Sequence, residues 1–181
     1  MLGLVAIAKP LLVIFIGEKW LQAVYFLQII CFSGMLYPLH AINLNILQVK
    51  GRSDLFLKLE VIKKIIAVVP IVVGIFFGIE WMLVGNVFTS FFAYFLNSYY
   101  SAGLILYPAI EQIKDIFPTF IISIIVAGVM WSLSFIPMSY YLLLPIQIII
   151  GLSLALLIYG RLHLSEYLEV KQLVLALLKQ K

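Results

Sequence analysis

Residues 43–64 read NLNILQVKGRSDLFLKLEVIKK, and in this stretch an otherwise apolar chain becomes densely charged. It holds five of the 12 lysine and arginine residues and two of the 8 acids. Apolar runs lie on both sides of it. A short basic loop between two apolar segments is typical of a loop that stays on the cytoplasmic side of a membrane. The stretch therefore predicts a cytoplasmic hairpin, residues 48–58, between two transmembrane helices.

The composition excludes a soluble globular domain. Hydrophobic residues make up 65% of the 181 residues, charged residues only 11%, and the mean hydropathy is +1.17. Soluble domains carry charge on about a quarter of their residues. The single cysteine, Cys31, allows no intrachain disulfide and fits no metal-ligand spacing. The net charge of +4 lies at segment ends, which indicates membrane orientation and no nucleic-acid partner.

Counting outward from the hairpin divides the chain into apolar segments separated by short polar turns. The fold class predicted is an all-α integral membrane protein with a six-helix transmembrane region over residues 1–160. Residues 161–181 interleave leucines with charged side chains, which predicts an amphipathic helix lying at the membrane surface rather than a seventh span. The predicted spans cover residues 2–16, 21–47, 65–78, 82–106, 118–136 and 140–160.

The distribution of basic residues supports six crossings. If the hairpin is cytoplasmic, so are the 107–117 connection and the C-terminal tail. That side then collects ten of the 12 lysines and arginines, while Lys19 lies on the other side and Lys9 within a span. Five or seven crossings would scatter these charges across both sides, against the positive-inside rule. The predicted location is the bacterial cytoplasmic membrane, with the C-terminus inside.

Polar residues within the apolar segments are the candidates for a substrate pathway. In the fourth segment Asn86, Thr89 or Ser90, Ala93, Asn97 and Ser101 recur every three or four residues, which puts them on one helix face. Such groups in lipid need partners from another helix or from water. Interhelical packing and the lining of a translocation path both remain open. The candidates are Lys9, His40, Asn43, Asn45, Asn86, Ser90 and Asn97.

The cationic side chains of the hairpin form a second group. Arg52, Lys63 and Lys64 are candidates to contact anionic lipid headgroups, since each basic residue near a membrane surface contributes about 1 kcal/mol toward anionic lipid. Topology signalling explains the same lysines equally well. Spacing along the helix predicts ion pairs of Asp54 with Lys58, and of Glu60 with Lys63 or Lys64.

No motif of a membrane enzyme is present in the sequence. It has no P-loop, no H-E-x-x-H and no nucleophile elbow, and its two histidines lie on different segments. We therefore expect no catalytic residue, no metal and no cofactor. An enzyme that modifies a polyprenyl lipid, using scattered residues such as His40 or Glu60, remains an alternative.

Four stretches resemble one known family: IGEKW (16–20), LQII (27–30), LYPLHAINLNILQVKGRSDLFLKLEVIKK (36–64) and NSYYSA (97–102). They are similar to the C-terminal half of bacterial polysaccharide exporters, the oligosaccharide flippases of the MATE-like MOP superfamily. The resemblance implies part of the second of two helical lobes that face each other across a cavity. Such proteins move undecaprenyl-pyrophosphate-linked sugars across the cytoplasmic membrane during lipopolysaccharide and O-antigen biosynthesis.

The resemblance also implies partners. These are membrane lipid, a lipid-linked oligosaccharide, and the missing N-terminal lobe or another membrane protein. The first segment has no polar lead-in, so we expect the chain to begin partway along a helix and to be the C-terminal part of a longer transporter. The alternative is a truncated, non-transporting remnant or an accessory membrane subunit.

Overall fold

The computed structural model describes residues 1–162, and these residues are helical with no strand. The prediction of an all-α chain is confirmed for them. The predicted tail lies outside the described residues, except for Arg161 and Leu162, which end the last helix. The helices are α1 Leu2–Ile16, α2 Leu21–Gly34, α3 Tyr37–Val49, α4 Ser53–Ile66, α5 Val68–Phe77, α6 Ile79–Ile105, α7 Ala109–Ser132 and α8 Tyr140–Leu162.

Four helical stretches are long and apolar enough to cross a membrane: Glu18–Val49, Ile79–Ile105, Ala109–Phe135 and Tyr140–Arg161. Large apolar side chains such as Phe15, Phe76 and Phe88 are more than two-thirds exposed on the outer surface. A surface covered with such side chains is unfavourable in water and favourable in lipid. These observations indicate a membrane protein.

The other two predicted spans do not reach the length and apolar composition needed to cross a membrane. The first is α1, only 15 residues long, when about 17–25 are needed to cross a bilayer. The third is divided between α4, which carries Lys58, Lys63 and Lys64, and the ten-residue α5. By length and composition the structure therefore bears out four of the six predicted crossings, and the remaining two stay predictions.

Two prolines explain where the second and third segments break. A proline lacks the backbone N–H that would donate to the carbonyl four residues earlier, and its ring crowds that carbonyl. Helix α2 ends at Gly34, four residues before Pro38, and α4 ends at Ile66, four residues before Pro70. Pro10 and Pro118 lie inside α1 and α7, which continue through them.

The helices pack as two groups joined by α2. Helix α1 packs against α7 and α8, and α6 packs against α3, α4 and α5, while α2 contacts both α1 and α6. The first group holds a continuous apolar core, in which Ala6 and Ile7 of α1 meet Ile122, Val126 and Met130 of α7. The second group holds most of the buried polar side chains, including Asn43, Asn97, Ser98 and Ser101.

The connection between α6 and α7 contains a residue in an unfavourable backbone conformation. Leu106 is the C-cap of α6, with φ 55° and ψ 35°, and its side chain is exposed. A left-handed conformation costs an L-residue other than glycine roughly 1–2 kcal/mol. We expect Leu106→Gly to raise the free energy of unfolding by about 1 kcal/mol. Denaturant titration in detergent micelles, followed by tryptophan fluorescence, measures this change.

The matched control is Leu104→Gly, which lies inside α6. Glycine in a helix interior is about 1 kcal/mol worse than the best helix formers, so this variant should lose stability. A loss of similar size at both positions would contradict the backbone explanation for Leu106.

Candidate functional site

A reciprocal pair of amides lies at the centre of the buried polar side chains. The Asn43 Nδ2 of α3 donates to the Gln112 Oε1 of α7 at 2.9 Å, and the Gln112 Nε2 donates to the Asn43 Oδ1 at 3.0 Å. Asn43 is fully buried and Gln112 is 4% exposed. Because α3 packs mainly along α6 and α4, this amide pair gives α3 a specific connection to α7.

Three side chains of α6 complete the network around this pair. Ser101 Oγ donates to Asn43 Oδ1 at 2.6 Å, Gln112 Nε2 also donates to Ser98 Oγ at 3.2 Å, and Tyr94 OH donates to Gln112 Oε1 at 3.3 Å. Further bonds run from Asn43 Nδ2 to the carbonyl of Leu39, and from Gln112 Nε2 to that of Tyr107. Buried polar groups in lipid need such partners, and this network supplies them from three helices.

His40 and Asn97 form a second contact between α3 and α6. The Asn97 Nδ2 lies 3.1 Å from the His40 Nδ1, and the ring of Tyr94 packs edge-on against the imidazole, 6.2 Å away. Asn97 is fully buried, and its Oδ1 has no hydrogen-bond partner among the described residues. The two contacts between α3 and α6 therefore differ. Both polar atoms of the Asn43 amide have hydrogen-bond partners, whereas only the Nδ2 of Asn97 has one.

The structure brings three of the seven pathway candidates together and separates the others. His40, Asn43 and Asn97 meet between α3 and α6, whereas Asn45 and Asn86 are exposed. Ser90 shares a 2.8 Å hydrogen bond with Ser33 of α2. The seventh candidate, Lys9, is exposed on α1, near the connection between α7 and α8.

Sequence reasoning missed Gln112, and with it the partner of Asn43. The sequence predicts a connection over residues 107–117, but α7 already begins at Ala109. Pro108 followed by Glu111 is a signal for a helix N-terminus, because proline and acidic residues favour the first turn. This signal would have placed Gln112 on a helix that continues into the fifth apolar segment. Tyr94 and Ser98, neighbours of Asn97 on the same helix, were missed as well.

A cavity of about 410 Å³ lies beside Tyr94 and is apolar. It opens between α2, α3, α6 and α7, and neither Asn43 nor Gln112 lines it. None of the seven pathway candidates lines it. Its walls are formed by Phe32, Met35, Leu36, Leu39, Phe91, Tyr94, Phe95, Ile113, Ile116, Phe117 and Phe120.

The basic hairpin turns where the sequence predicts it. Gly51 has φ 69° between the end of α3 and the start of α4, a conformation that favours glycine. The predicted pair of Asp54 with Lys58 is wrong. Asp54 accepts two hydrogen bonds from Arg52, at 2.9 and 3.0 Å, because the guanidinium fork matches a carboxylate two residues away. The ammonium of Lys58 instead lies 5.8 Å from the centre of the Tyr100 ring.

The headgroup candidates have different environments. Arg52 and Lys64 are exposed, so both can reach anionic groups at a membrane surface. Lys63 is half-buried and forms the predicted ion pair with Glu60. Its charge is already neutralised in part, which leaves Arg52 and Lys64 as the more available cations of the three.

The contact between Arg52 and Asp54 predicts an acid titration of the hairpin. The guanidinium hydrogen bonds lower the pKa of Asp54 to about 2, from its ordinary 3.8. The pair is therefore complete above pH 3.8 and is lost as the pH falls through about 2. We expect Arg52→Gln to return the Asp54 pKa to near 3.8, and Lys50→Gln to leave it low. Carbon-13 NMR of the aspartate carboxyls measures the Asp54 pKa in both variants, and Asp115 is the only other aspartate in the chain. Equal Asp54 titration midpoints in Arg52→Gln and Lys50→Gln would contradict the role of Arg52.

Comparison with known proteins leaves the function to be inferred from the chain itself. No family model, no curated protein and no solved structure matches it. Within residues 1–162 no group of three histidine, cysteine or acidic side chains is placed to hold a metal ion.

Proposed function

We propose that the chain is the C-terminal part of a transporter that flips undecaprenyl-pyrophosphate-linked oligosaccharides across the bacterial cytoplasmic membrane for surface polysaccharide biosynthesis. Its role is transport and not catalysis. The proposal starts from the resemblance of residues 16–20, 27–30, 36–64 and 97–102 to polysaccharide exporters. The apolar exterior and the long apolar helices are compatible with it.

The observation that carries the proposal is that α3 contributes to a buried polar network and also leads into the basic hairpin. Asn43 and His40 lie on α3, whose C-terminal end leads directly into the hairpin. Polar side chains inside a membrane bundle are costly, and they commonly mark substrate or ion pathways. A pyrophosphate-linked lipid is anionic, and Arg52 and Lys64 are among the exposed cations of the hairpin and of α4.

The topology belongs to the same proposal. It has six crossings, with α1 as the first and residues 65–78, which comprise the end of α4 and α5, as the third, and it places the hairpin and the C-terminal tail in the cytoplasm. Helix α1 packs in the apolar core with α7 and α8, and α5 packs closely against α6. Helices α1 and α5 therefore each pack beside a helix that is long enough to cross the membrane, which is compatible with six crossings.

Labelling of single cysteines tests the topology. In a Cys31→Ser background, Arg52→Cys should be labelled by a membrane-impermeant maleimide only after cells are opened. Lys19→Cys should be labelled in intact cells whose outer membrane is permeable. Labelling of Arg52→Cys in intact cells would overturn the orientation.

The satisfied hydrogen bonds of Asn43 and Gln112 favour a second function, an accessory or non-transporting membrane subunit. In this case the network serves packing alone, since its members bond to one another and the adjoining cavity is apolar. The chain would then stabilise another helical membrane protein without contacting the oligosaccharide.

Export of surface polysaccharide separates the two functions. The chain is expressed in cells that lack their exporter, either alone or fused behind the first lobe of an exporter of this family. Transport predicts restored polysaccharide with the fusion, reduced export with Asn97→Leu, and unchanged export with the exposed control Gln22→Leu. An accessory role predicts no restoration by the fusion, even when immunoblotting shows it to be folded and inserted.

A further inference from the structure

A second cavity, with partly polar walls, lies at the other end of the molecule from the hairpin. Its volume is about 190 Å³, and Lys9 and Pro10 of α1, Ser134 of the connection after α7, and Tyr140 and Leu143 of α8 contribute to its walls. The ammonium of Lys9 lies 5.7 Å from the centre of the Tyr140 ring. Lys9 has no acidic partner among residues 1–162. An unpaired cation on an apolar helix is costly in a membrane unless an anion neutralises it.

The cavity also presents neutral hydrogen-bond donors. Gln147 donates to the carbonyl of Met130 at 2.7 Å and to Ser134 Oγ at 3.0 Å. Because Ser134 accepts this bond, its own hydroxyl proton can be donated to a group in the cavity. The first N–H groups of a helix have no intrahelical acceptor. In α8 the first hydrogen bonds run from the N–H groups of Leu142 and Leu143 to the Ser139 carbonyl, so the N–H groups of Tyr140 and Tyr141 come before them.

Gln147 donates to Ser134, which lines the cavity, but Gln147 itself does not line it. It is fully buried, and its Oε1 has no partner among the described residues. The amide cannot be flipped to satisfy this atom, since Oε1 would then face the Met130 carbonyl, which is also an acceptor. A buried acceptor without a partner costs roughly 1–3 kcal/mol. Only a hydrogen-bond donor, such as a headgroup hydroxyl or a water, could remove that cost, and the phosphate oxygens of a lipid could not.

We propose that this cavity binds the phosphate diester of an anionic membrane lipid. Lys9 supplies the charge, while the Ser134 hydroxyl and the N-terminus of α8 donate to the phosphate oxygens. The surrounding rim is apolar, because Phe135, Tyr141 and Leu142 are all more than 60% exposed. An anion that enters through such a rim is most favourably one attached to acyl chains. The site does not depend on the flippase proposal, and it gives Lys9, a pathway candidate by sequence, a different role at the opposite end of the bundle from the hairpin.

Native mass spectrometry of the purified chain tests the site. The chain is released from nanodiscs of phosphatidylglycerol or phosphatidylcholine, and the bound lipid is counted. We expect selective retention of phosphatidylglycerol. Lys9→Gln should weaken it about tenfold, as expected for one charge-assisted hydrogen bond. Ser134→Ala should weaken it by a smaller factor.

Two variants serve as matched controls. Lys19→Gln removes an exposed lysine that does not line the cavity, and Ser132→Ala removes a hydroxyl that bonds to the Val129 carbonyl of its own helix. Both should retain phosphatidylglycerol as the unaltered chain does. Equal loss in Lys9→Gln and Lys19→Gln, or equal retention of the two lipids, would overturn the proposal.

A competition experiment identifies the source of the phosphate. Inorganic phosphate is added to the chain in neutral detergent. Lys9-dependent binding of inorganic phosphate that excludes phosphatidylglycerol would show a soluble anion site and overturn the lipid assignment. If Lys9→Gln fails to fold, as judged by circular dichroism, the comparison of Ser134→Ala with Ser132→Ala decides the question in the same way.

Discussion

Replacing Asn43 with leucine is expected to lower the free energy of unfolding by about 2–3 kcal/mol. The change removes three interhelical contacts, two with Gln112 and one with Ser101, and leaves the Gln112 amide buried with only its weaker partners. Interhelical hydrogen bonds in membranes contribute on average about 0.6 kcal/mol each, and a buried group left without its partner adds to the loss.

Asn45 is the matched control, because it is the same residue on the same helix but is exposed. Asn45→Leu should change the free energy of unfolding by no more than about 0.5 kcal/mol. Both are measured by denaturant titration of the purified chain in micelles, with tryptophan fluorescence as the signal. The double variant Asn43→Leu, Gln112→Leu should lose less than the sum of the two single changes, since it leaves no orphaned amide. Equal effects at Asn43 and Asn45 would contradict the network as a stabilising contact.

The second large effect is expected at Gly74, where α5 and α6 approach most closely. A Cβ on Gly74 would lie 2.7 Å from the Cβ of Met82, too close for any rotation of the methionine side chain to relieve. We expect Gly74→Ala to force the two helices apart and to cost about 1–3 kcal/mol, the range for overpacking. The same titration in micelles measures it.

Gly103 provides the control for this substitution. Like Gly74 it lies inside a helix, in this case α6, but a Cβ there would meet nothing within 4 Å. Gly103→Ala should therefore be neutral or raise the free energy of unfolding by up to about 1 kcal/mol, because alanine restricts the unfolded chain and favours helix. A loss at Gly103 as large as that at Gly74 would contradict steric contact as the cause. Gly74 and Gly78 have G-x-x-x-G spacing, but only Gly74 makes a close contact, since Gly78 caps the end of α5 with φ 95° and has open space around it.

The sequence predicted the features that depend on local chemistry. The apolar runs form long helices, and the chain turns at the glycine between Lys50 and Arg52. Both features could be predicted because hydrophobicity and backbone freedom are properties of each residue and its neighbours. The helix breaks follow from Pro38 and Pro70, although a proline in α1 or α7 does not break its helix. Why these prolines act differently depends on the contacts of each helix.

The composition of the polar network was decided by the tertiary structure alone. Asn43 and Asn45 are equally polar, but two positions along a helix turn a side chain to nearly the opposite face, so only Asn43 meets α6 and α7. The partner of Asn43, Gln112, lies 69 residues away in the chain, and no local pattern joins the two. Hydropathy thus determines that these helices enter lipid, whereas only the packing of α3, α6 and α7 determines which polar groups find partners there.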